Sequence, residues 1–289
     1  MNPNNPLRDR LASGPLLVVP GAANALTARI VEDMGFEAAY ITGAGIANTF
    51  LGAPDIGLLT LSELAAHVTA IRDATTFPLI VDADTGFGNA VGVTRTVRVL
   101  ERAGADAIQI EDQVMPKKCG HFDDKRLVPA AEMIGKIHAA VDTRDDRTVV
   151  IARTDAVATE GLDAAVDRAA RYAEAGADVT FVEAPQSAAD LLSIPSRLAV
   201  PQVVNLVEGG RTPMMSLTDL SEFRIALFAN AALQAAARGV QRVLAVLRST
   251  GSLEAAKDDL AGWEERQRLV GKSHYDELER TYARAERHA

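Results

Sequence analysis

The chain carries a single cysteine among its 289 residues. One thiol cannot close an intramolecular disulfide, so a stapled secreted scaffold is excluded and a reducing compartment is expected. A cationic excess is missing as well: 30 Lys and Arg stand against 39 Asp and Glu, for a formal charge of −9. Without a basic stripe the phosphate backbone of a nucleic acid has nothing to bind, and that class of partner is excluded. No stretch approaches the ~20 uninterrupted apolar residues that a membrane helix needs. The most apolar early segment, residues 16–26, contains Pro20, Gly21 and Asn24 and lacks the cationic start and cleavage pattern of a leader. A soluble cytoplasmic protein with no membrane partner is expected. Apolar side chains, by contrast, make up 48% of the chain, enough for a large core.

A unit repeats along the sequence. Glu101-Arg-Ala-Gly-Ala-Asp106 precedes Ala107-Ile-Gln-Ile110, Glu174-Ala-Gly-Ala-Asp178 precedes Val179-Thr-Phe-Val182, and Glu32-Asp-Met-Gly-Phe36 is a looser copy. Each reads as a helix closed by a glycine and followed at once by a short apolar strand. Extended along the chain, the pattern predicts eight strands, beginning near Leu16, Ala38, Leu79, Ala107, Thr148, Val179, Gln202 and Arg224, with amphipathic helices in the gaps. Eight such units fit an α/β fold of the (β/α)8 TIM-barrel type better than an open doubly wound sheet, although periodicity alone cannot show closure. The expected organisation is a barrel over residues 1–250 and a charged C-terminal helical extension over 251–289. The apolar stripe of Leu260, Trp263 and Leu269 in that extension calls for a partner surface, such as a neighbouring subunit.

In a barrel the chemistry lies at the carboxyl ends of the strands. Those ends carry Tyr40 and Thr42, Asp82 and Asp84, Glu111 and Asp112, Arg153 and Asp155, Glu183, and Asn205. Alternation along a strand puts Asp82 with Asp84, and Phe181 with Glu183, on one face. One strand-end carboxylate is as readily a solvated residue. Carboxylates closing several strands together need a cation or counter-charges to offset desolvation. Asp82, Asp84 and Glu111 are hard oxygen donors without companion His or Cys, a set that favours Mg2+ or Mn2+ over zinc.

The stretch Val114-Met-Pro-Lys-Lys-Cys-Gly-His121 follows a strand directly and is too irregular for a helix. Long loops after barrel strands tend to be functional lids. Its cysteine, Cys119, stands beside Lys117, Lys118 and His121, whose charge would favour the thiolate. The glycine pairs Gly43-Ala-Gly45 and Gly86-Phe-Gly88 lack the full spacing of a dinucleotide loop and are read as tight turns exposing backbone N–H groups to carboxylate oxygens.

Val81-Asp-Ala-Asp-Thr-Gly-Phe-Gly88, Ile110-Glu-Asp-Gln113, Lys117-Lys-Cys-Gly-His121 and Ile151-Ala-Arg-Thr-Asp155 resemble the isocitrate lyase and phosphoenolpyruvate mutase superfamily, in the same order from about Val19 to Phe228. The short chain looks like the methylisocitrate lyase and 2,3-dimethylmalate lyase branch. The resemblance implies a Mg2+-dependent barrel, usually a homotetramer exchanging C-terminal helices. It implies that Asp82 holds the metal directly and Asp84 and Glu111 through water. Tyr40, Thr42, Gly43 and Ala44 would cradle a 2-oxoacid carboxylate, with Arg153, Glu183 and Asn205 lining the rest and Asp55 supporting the metal region. Lys117, Cys119, Gly120 and His121 would form the closing loop, and Phe181 would sense side-chain size. Cys119 is then the candidate general acid and Tyr40 a candidate base. Thr42 and Ala44 replace the usual Ser and Gly of methylisocitrate lyases, and Asn205-Leu-Val-Glu-Gly-Gly-Arg-Thr-Pro213 looks more like dimethylmalate lyase and carboxyphosphonoenolpyruvate mutase.

The leading expectation is a carbon–carbon lyase acting on a small branched 2-hydroxy di- or tricarboxylate. A phosphonomutase or an oxaloacetate-type hydrolase of the same superfamily is the alternative. A non-catalytic scaffold is the third, and it has no need of Asp82, Glu111, Cys119 and Arg153 together.

Overall fold

Residues 6–120 and 124–285 are described by the computed structural model, and the chain divides into two compact units, residues 1–233 and 234–289. In the first unit eight strands run parallel: β1 (Leu17–Ala22), β2 (Ala39–Ile41), β3 (Leu79–Asp82), β4 (Ala107–Glu111), β5 (Val149–Thr154), β6 (Val179–Val182), β7 (Gln202–Asn205) and β8 (Ile225–Phe228). They pair in sequence order and β8 returns to β1, with Val18 opposite Ala226, so the sheet closes into a barrel. Each strand begins within one residue of its expected start. Closure removes both sheet edges, which an open sheet would leave to be covered.

Helix α1 (Pro6–Ser13) precedes the barrel. Following successive strands are α2 (Ala25–Asp33), α3 (Gly43–Ile46), α4 (Leu61–Ala74), α5 (Ala90–Ala103), α6 (Ala130–Thr143), α7 (Val157–Glu160), α8 (Leu162–Glu174) and α9 (Ala188–Ser193). Their ends follow local chemistry. Asn89 caps α5 by accepting from the Gly92 N–H at 3.1 Å, Val93, Val97 and Leu100 bury one stripe, and Gly104 ends it at φ +106°. Thr60 and Glu63 form a reciprocal capping box on α4. The β7–β8 connection differs from expectation. Among the described residues it holds no helix, because Gly209, Gly210 and Pro213 interrupt any helical period there.

The sequence repeat has a structural cause. Asp106 Oδ2 accepts from the Leu79 N–H at 2.9 Å and pairs with Arg72, while Asp178 Oδ2 accepts from the Val150 N–H at 2.8 Å and pairs with Arg144 and Arg8. Each aspartate ties the strand it precedes to an earlier neighbour. Val19, Tyr40, Ile80, Phe181, Val203 and Ile225 fill the barrel interior, and Leu7 and Leu11 of α1 join the same cluster. Burying such a leucine is worth about 1.5–3 kcal/mol. Together with Leu17, Ala38, Ala107, Val149 and Val179 near the strand starts, they pack the amino-terminal side. Polar chemistry is left to the opposite end.

The second unit contains the body of α10 (Ala231–Thr250), α11 (Trp263–Leu269) and α12 (Lys272–Ala285). Gly251, at φ +69°, ends α10 as its sequence position suggests, while the compact unit itself begins earlier, at Gln234. Val240, Leu244 and Leu247 form one exposed stripe on α10, and Trp263 is 71% exposed. Among the described residues no helix is long and apolar enough to cross a membrane.

Candidate active site

The carboxyl ends of β2 to β5 bring Tyr40, Asp82, Glu111 and Arg153 around one cavity, with Thr42 and Ala44 just beyond β2. Strand alternation reaches only as far as Asp82. Asp84 lies past the end of β3 in the left-handed region, at φ +48°, and its N–H donates to Asp82 Oδ1 at 3.2 Å. That turn, rather than strand alternation, folds the second carboxylate back beside the first. A non-glycine residue in this region costs on the order of 1–3 kcal/mol and persists only where its surroundings fix it. Gly43 allows the close approach: a Cβ there would stand 3.3 Å from Asp84 Oδ1 and 3.4 Å from Asp82 Oδ2.

Arg153 organises the other side. Its Nε lies 2.9 Å from Asp155 Oδ2 and 3.3 Å from Glu111 Oε2, its Nη1 lies 3.1 Å from Glu183 Oε2, and its Nη2 donates to Asp155 Oδ1 at 3.0 Å. Burial opposes the charge, yet Asp155, Glu183 and Glu111 hold the guanidinium protonated far above its ordinary range. Asn205 Nδ2 donates to Glu183 Oε2 at 3.4 Å, fixing that carboxylate from β7. Phe181 does not line the cavity. It lies inside the barrel with the Arg153 guanidinium 5.1 Å above its ring, so its contact is with the arginine.

Lys117 is committed to carboxylates. Its Nζ stands 2.5 Å from Asp55 Oδ1 and 2.8 Å from Asp84 Oδ1, and its side chain is 3% exposed. Burial works against that ammonium, but Asp84 and Asp55 keep its pKa well above the ordinary value. Asp84 is pushed up to about 7, chiefly by burial and against the pull of Lys117. Burial likewise drives Glu111 well above the usual carboxylate range, with Arg153 opposing. For Tyr40, burial and then the Asp82 charge push the phenol far upward. Tyr40 is therefore a hydrogen-bond donor at neutral pH, not a ready base.

The cysteine loop sits on this floor. The Cys119 N–H donates to the Asp55 carbonyl at 3.1 Å, and the Gln113 amide brackets Lys118, accepting from its N–H at 2.9 Å and donating to its carbonyl at 2.8 Å. At Gly120 a Cβ would lie 2.3 Å from Arg153 Nη2 and 2.7 Å from Glu183 Cγ, so only glycine permits this seat. His121 lies outside the described residues. The cavity between loop and floor is about 30 Å3, the scale of a water molecule.

Ala229 and Asn230, just past β8, and Lys118 also line this cavity. Asn230 Oδ1 is buried without a hydrogen-bond partner. Sequence reasoning does not place Ala229 and Asn230 in the site, although their position after the eighth strand is the available signal. The donor set fits a hard divalent cation. Glu111 Oε1 is buried with no partner, and Asp82 and Asp84 converge beside Gly43. No group of three or more His, Cys, Asp or Glu among the described residues forms a ready-made cage.

Residues 7–248 match the phosphoenolpyruvate phosphomutase family. The chain belongs to the phosphoenolpyruvate mutase/isocitrate lyase superfamily. As a member of it, the chain is an enzyme. It is 41% identical to 2,3-dimethylmalate lyase of Eubacterium barkeri over 98% of this chain and 99% of that protein. It is 42% identical to 2-methylisocitrate lyase of Aeropyrum pernix over 96% of this chain and 90% of that one. Among solved structures, phosphonopyruvate hydrolase in complex with oxalate and Mg2+ superposes with a TM-score of 0.87 at 33% identity, covering 96% of this chain and 98% of that one.

Proposed function

We propose that this superfamily member is a carbon–carbon lyase of cytoplasmic carboxylic acid metabolism. It cleaves a branched 2-hydroxy di- or tricarboxylate, such as 2,3-dimethylmalate or 2-methylisocitrate, to a 2-oxoacid and a second carboxylate. The observation that carries this reading is the position of the sole thiol: its backbone is tied to Asp55 and the next residue rests against Arg153 and Glu183. A simple binding barrel has no use for a proton donor whose chain neighbour is pressed onto a buried arginine.

Asp82, Asp84 and Glu111 would hold Mg2+, or Mn2+, which when bound stabilises the charge developing on the 2-oxoacid oxygens. The rest falls to this chain's own groups. Tyr40, protonated, donates to the substrate oxygen, and the N–H groups around Gly43 and Ala44 with Thr42 receive the adjoining carboxylate. Lys117 holds Asp55 and Asp84 in place. Arg153 binds the distal carboxylate, with Glu183 and Asn205 keeping its fork aligned. In the bond-breaking step the substrate hydroxyl passes its proton to a carboxylate of the cavity floor, and its oxygen pair becomes the carbonyl. The carbon–carbon pair moves to the carbon beside the second carboxylate, and the Cys119 thiol protonates that carbon. Gly120 and the seated loop exclude water meanwhile.

The test is a substrate panel with Mg2+: 2,3-dimethylmalate, 2-methylisocitrate, isocitrate and oxaloacetate, following 2-oxoacid release. Cleavage of one of the first three is expected. Turnover of oxaloacetate alone, or of a phosphonate such as phosphonopyruvate, would move the activity to the hydrolase or mutase type. The exposed stripe on α10 supports a homotetramer in which C-terminal helices pack on a second copy. Light scattering should give four times the chain mass.

A further inference from the structure

Lys125 has no part in the chemistry just described, yet it is among the least exposed charges in the molecule. Its side chain is 1% exposed and that of its partner Asp155 is 0%. Among the described residues the ammonium makes two contacts. Nζ lies 2.9 Å from Asp155 Oδ1, and it also donates to the Gly120 carbonyl. Asp155 is the same carboxylate that receives Arg153 through both Nε and Nη2. It is fixed in turn from behind, its N–H donating to Asp112 Oδ1 at 3.0 Å. Asp112 is fully buried, and its Oδ2 accepts from the Thr154 hydroxyl at 2.7 Å and the Tyr172 hydroxyl at 2.8 Å.

We propose that Lys125 is a positioning residue that seats the cysteine loop, by holding the Gly120 carbonyl to the carboxylate that aims Arg153. The physical reasoning is one of shared partners. A lysine buried against one carboxylate is expensive unless its remaining protons are used. The Gly120 carbonyl uses one of them. Because the Asp155 side chain is clamped by Arg153 and its backbone by Asp112, Lys125 cannot follow a loop that lifts away without losing a contact. The loop and the guanidinium are thereby brought to their working places together. Lys125 touches neither substrate nor reacting atoms on this account. Its importance for turnover rests on the lyase reading, whereas its seating of the loop does not.

The sole cysteine makes the test clean, since a thiol reagent reports only on Cys119. The full chain is treated with iodoacetamide under native conditions, without substrate, and the rate of labelling is measured. Lys125→Met should speed labelling by about ten- to a hundredfold, the population shift expected from losing a charged hydrogen bond. Lys125→Arg, which retains the charge and donors, should return the rate toward that of the parent. Lys136 is another buried lysine, donating to the Thr85 carbonyl at 3.0 Å, and Lys136→Met controls for general loosening. Parental labelling in Lys125→Met, or an equal rise in Lys136→Met, overturns the proposal. If the methionine variant does not fold, Lys125→Gln fills the space with one donor, and its labelling is judged by the same outcomes. Because no turnover is needed, inactivity on every 2-hydroxy acid would remove the lyase reading and leave the labelling result to stand by itself.

Discussion

Replacing Gly120 by alanine probes the site with one carbon atom. The added Cβ would stand 2.3 Å from Arg153 Nη2, 2.7 Å from Glu183 Cγ and 2.9 Å from Glu183 Cδ. Non-bonded heavy atoms settle at about 3.5 Å or more, so something must retreat by roughly 1 Å. The floor is the stiffer side. Arg153 is held by Asp155, Glu111 and Glu183, and all four side chains are buried. Disturbing such a paired cluster costs about 3–5 kcal/mol, whereas accommodating a methyl by shifting a loop costs about 1–3 kcal/mol. The loop therefore yields, and it carries Cys119 with it. A displacement of about 1 Å at a reacting group lowers turnover by about a hundredfold, equivalent to roughly 2.7 kcal/mol at the transition state. The expected outcome is a kcat for 2-oxoacid release reduced by that order, with a thermal midpoint close to the parent's. Parental kcat in Gly120→Ala would refute the idea that the loop works in this seat. A large fall in stability would instead show that the floor had given way.

Other outcomes follow from the same geometry. Cys119→Ser should lower turnover by about 10²–10⁴-fold while the thermal midpoint stays that of the parent, and full activity would rule out the thiol as proton donor. Mg2+ binds carboxylates in their ionised form, and burial raises Glu111 and takes Asp84 to about 7. Protons should therefore compete increasingly as pH falls below 7, and a Mg2+ affinity constant between pH 7 and pH 5 would contradict this placement of the metal. Asp112→Ala strands the donors of Thr154, Tyr172 and Asp155 and leaves Arg168, 3.4 Å away, facing a void. A loss of about 3–5 kcal/mol in urea unfolding is expected, and a loss under about 1 kcal/mol would mean the network is dispensable.

The barrel is largely legible in the sequence because its signals are local. Gly104 and Gly176 end helices in the left-handed conformation, and short apolar runs follow them at once. Those features act over a few residues, so a linear reading finds them. The β7–β8 connection shows the limit. Strands separated by helices everywhere else suggest a helix there too, but two glycines and a proline leave the segment irregular.

The site is legible by residue type and less so by partnership. Strand-end carboxylates, the buried arginine and the cysteine loop can all be picked out from the chain. Which charges meet cannot. Lys117 neighbours Cys119 in sequence, yet its ammonium is spent on Asp55, 62 positions away, and on Asp84. Phe181 shares a strand face with Glu183 but packs beneath Arg153, and Asn230 joins the cavity only because β8 returns beside β1.

By itself the sequence determined the eight strands, the helix ends, the hard-oxygen donor set and the lone thiol in its loop. Those depend on side-chain period, capping chemistry and residue identity, which are written in the chain. The tertiary structure alone decided that Asp84 turns back onto Asp82, that Gly120 rests against Arg153 and that Lys125 joins the loop to Asp155. The first depends on a left-handed turn at Asp84 that strand alternation does not show, and the other two on groups far apart in sequence being driven out of water together at the mouth of a closed barrel. Once there, a charge must take whichever opposite charge lies within reach.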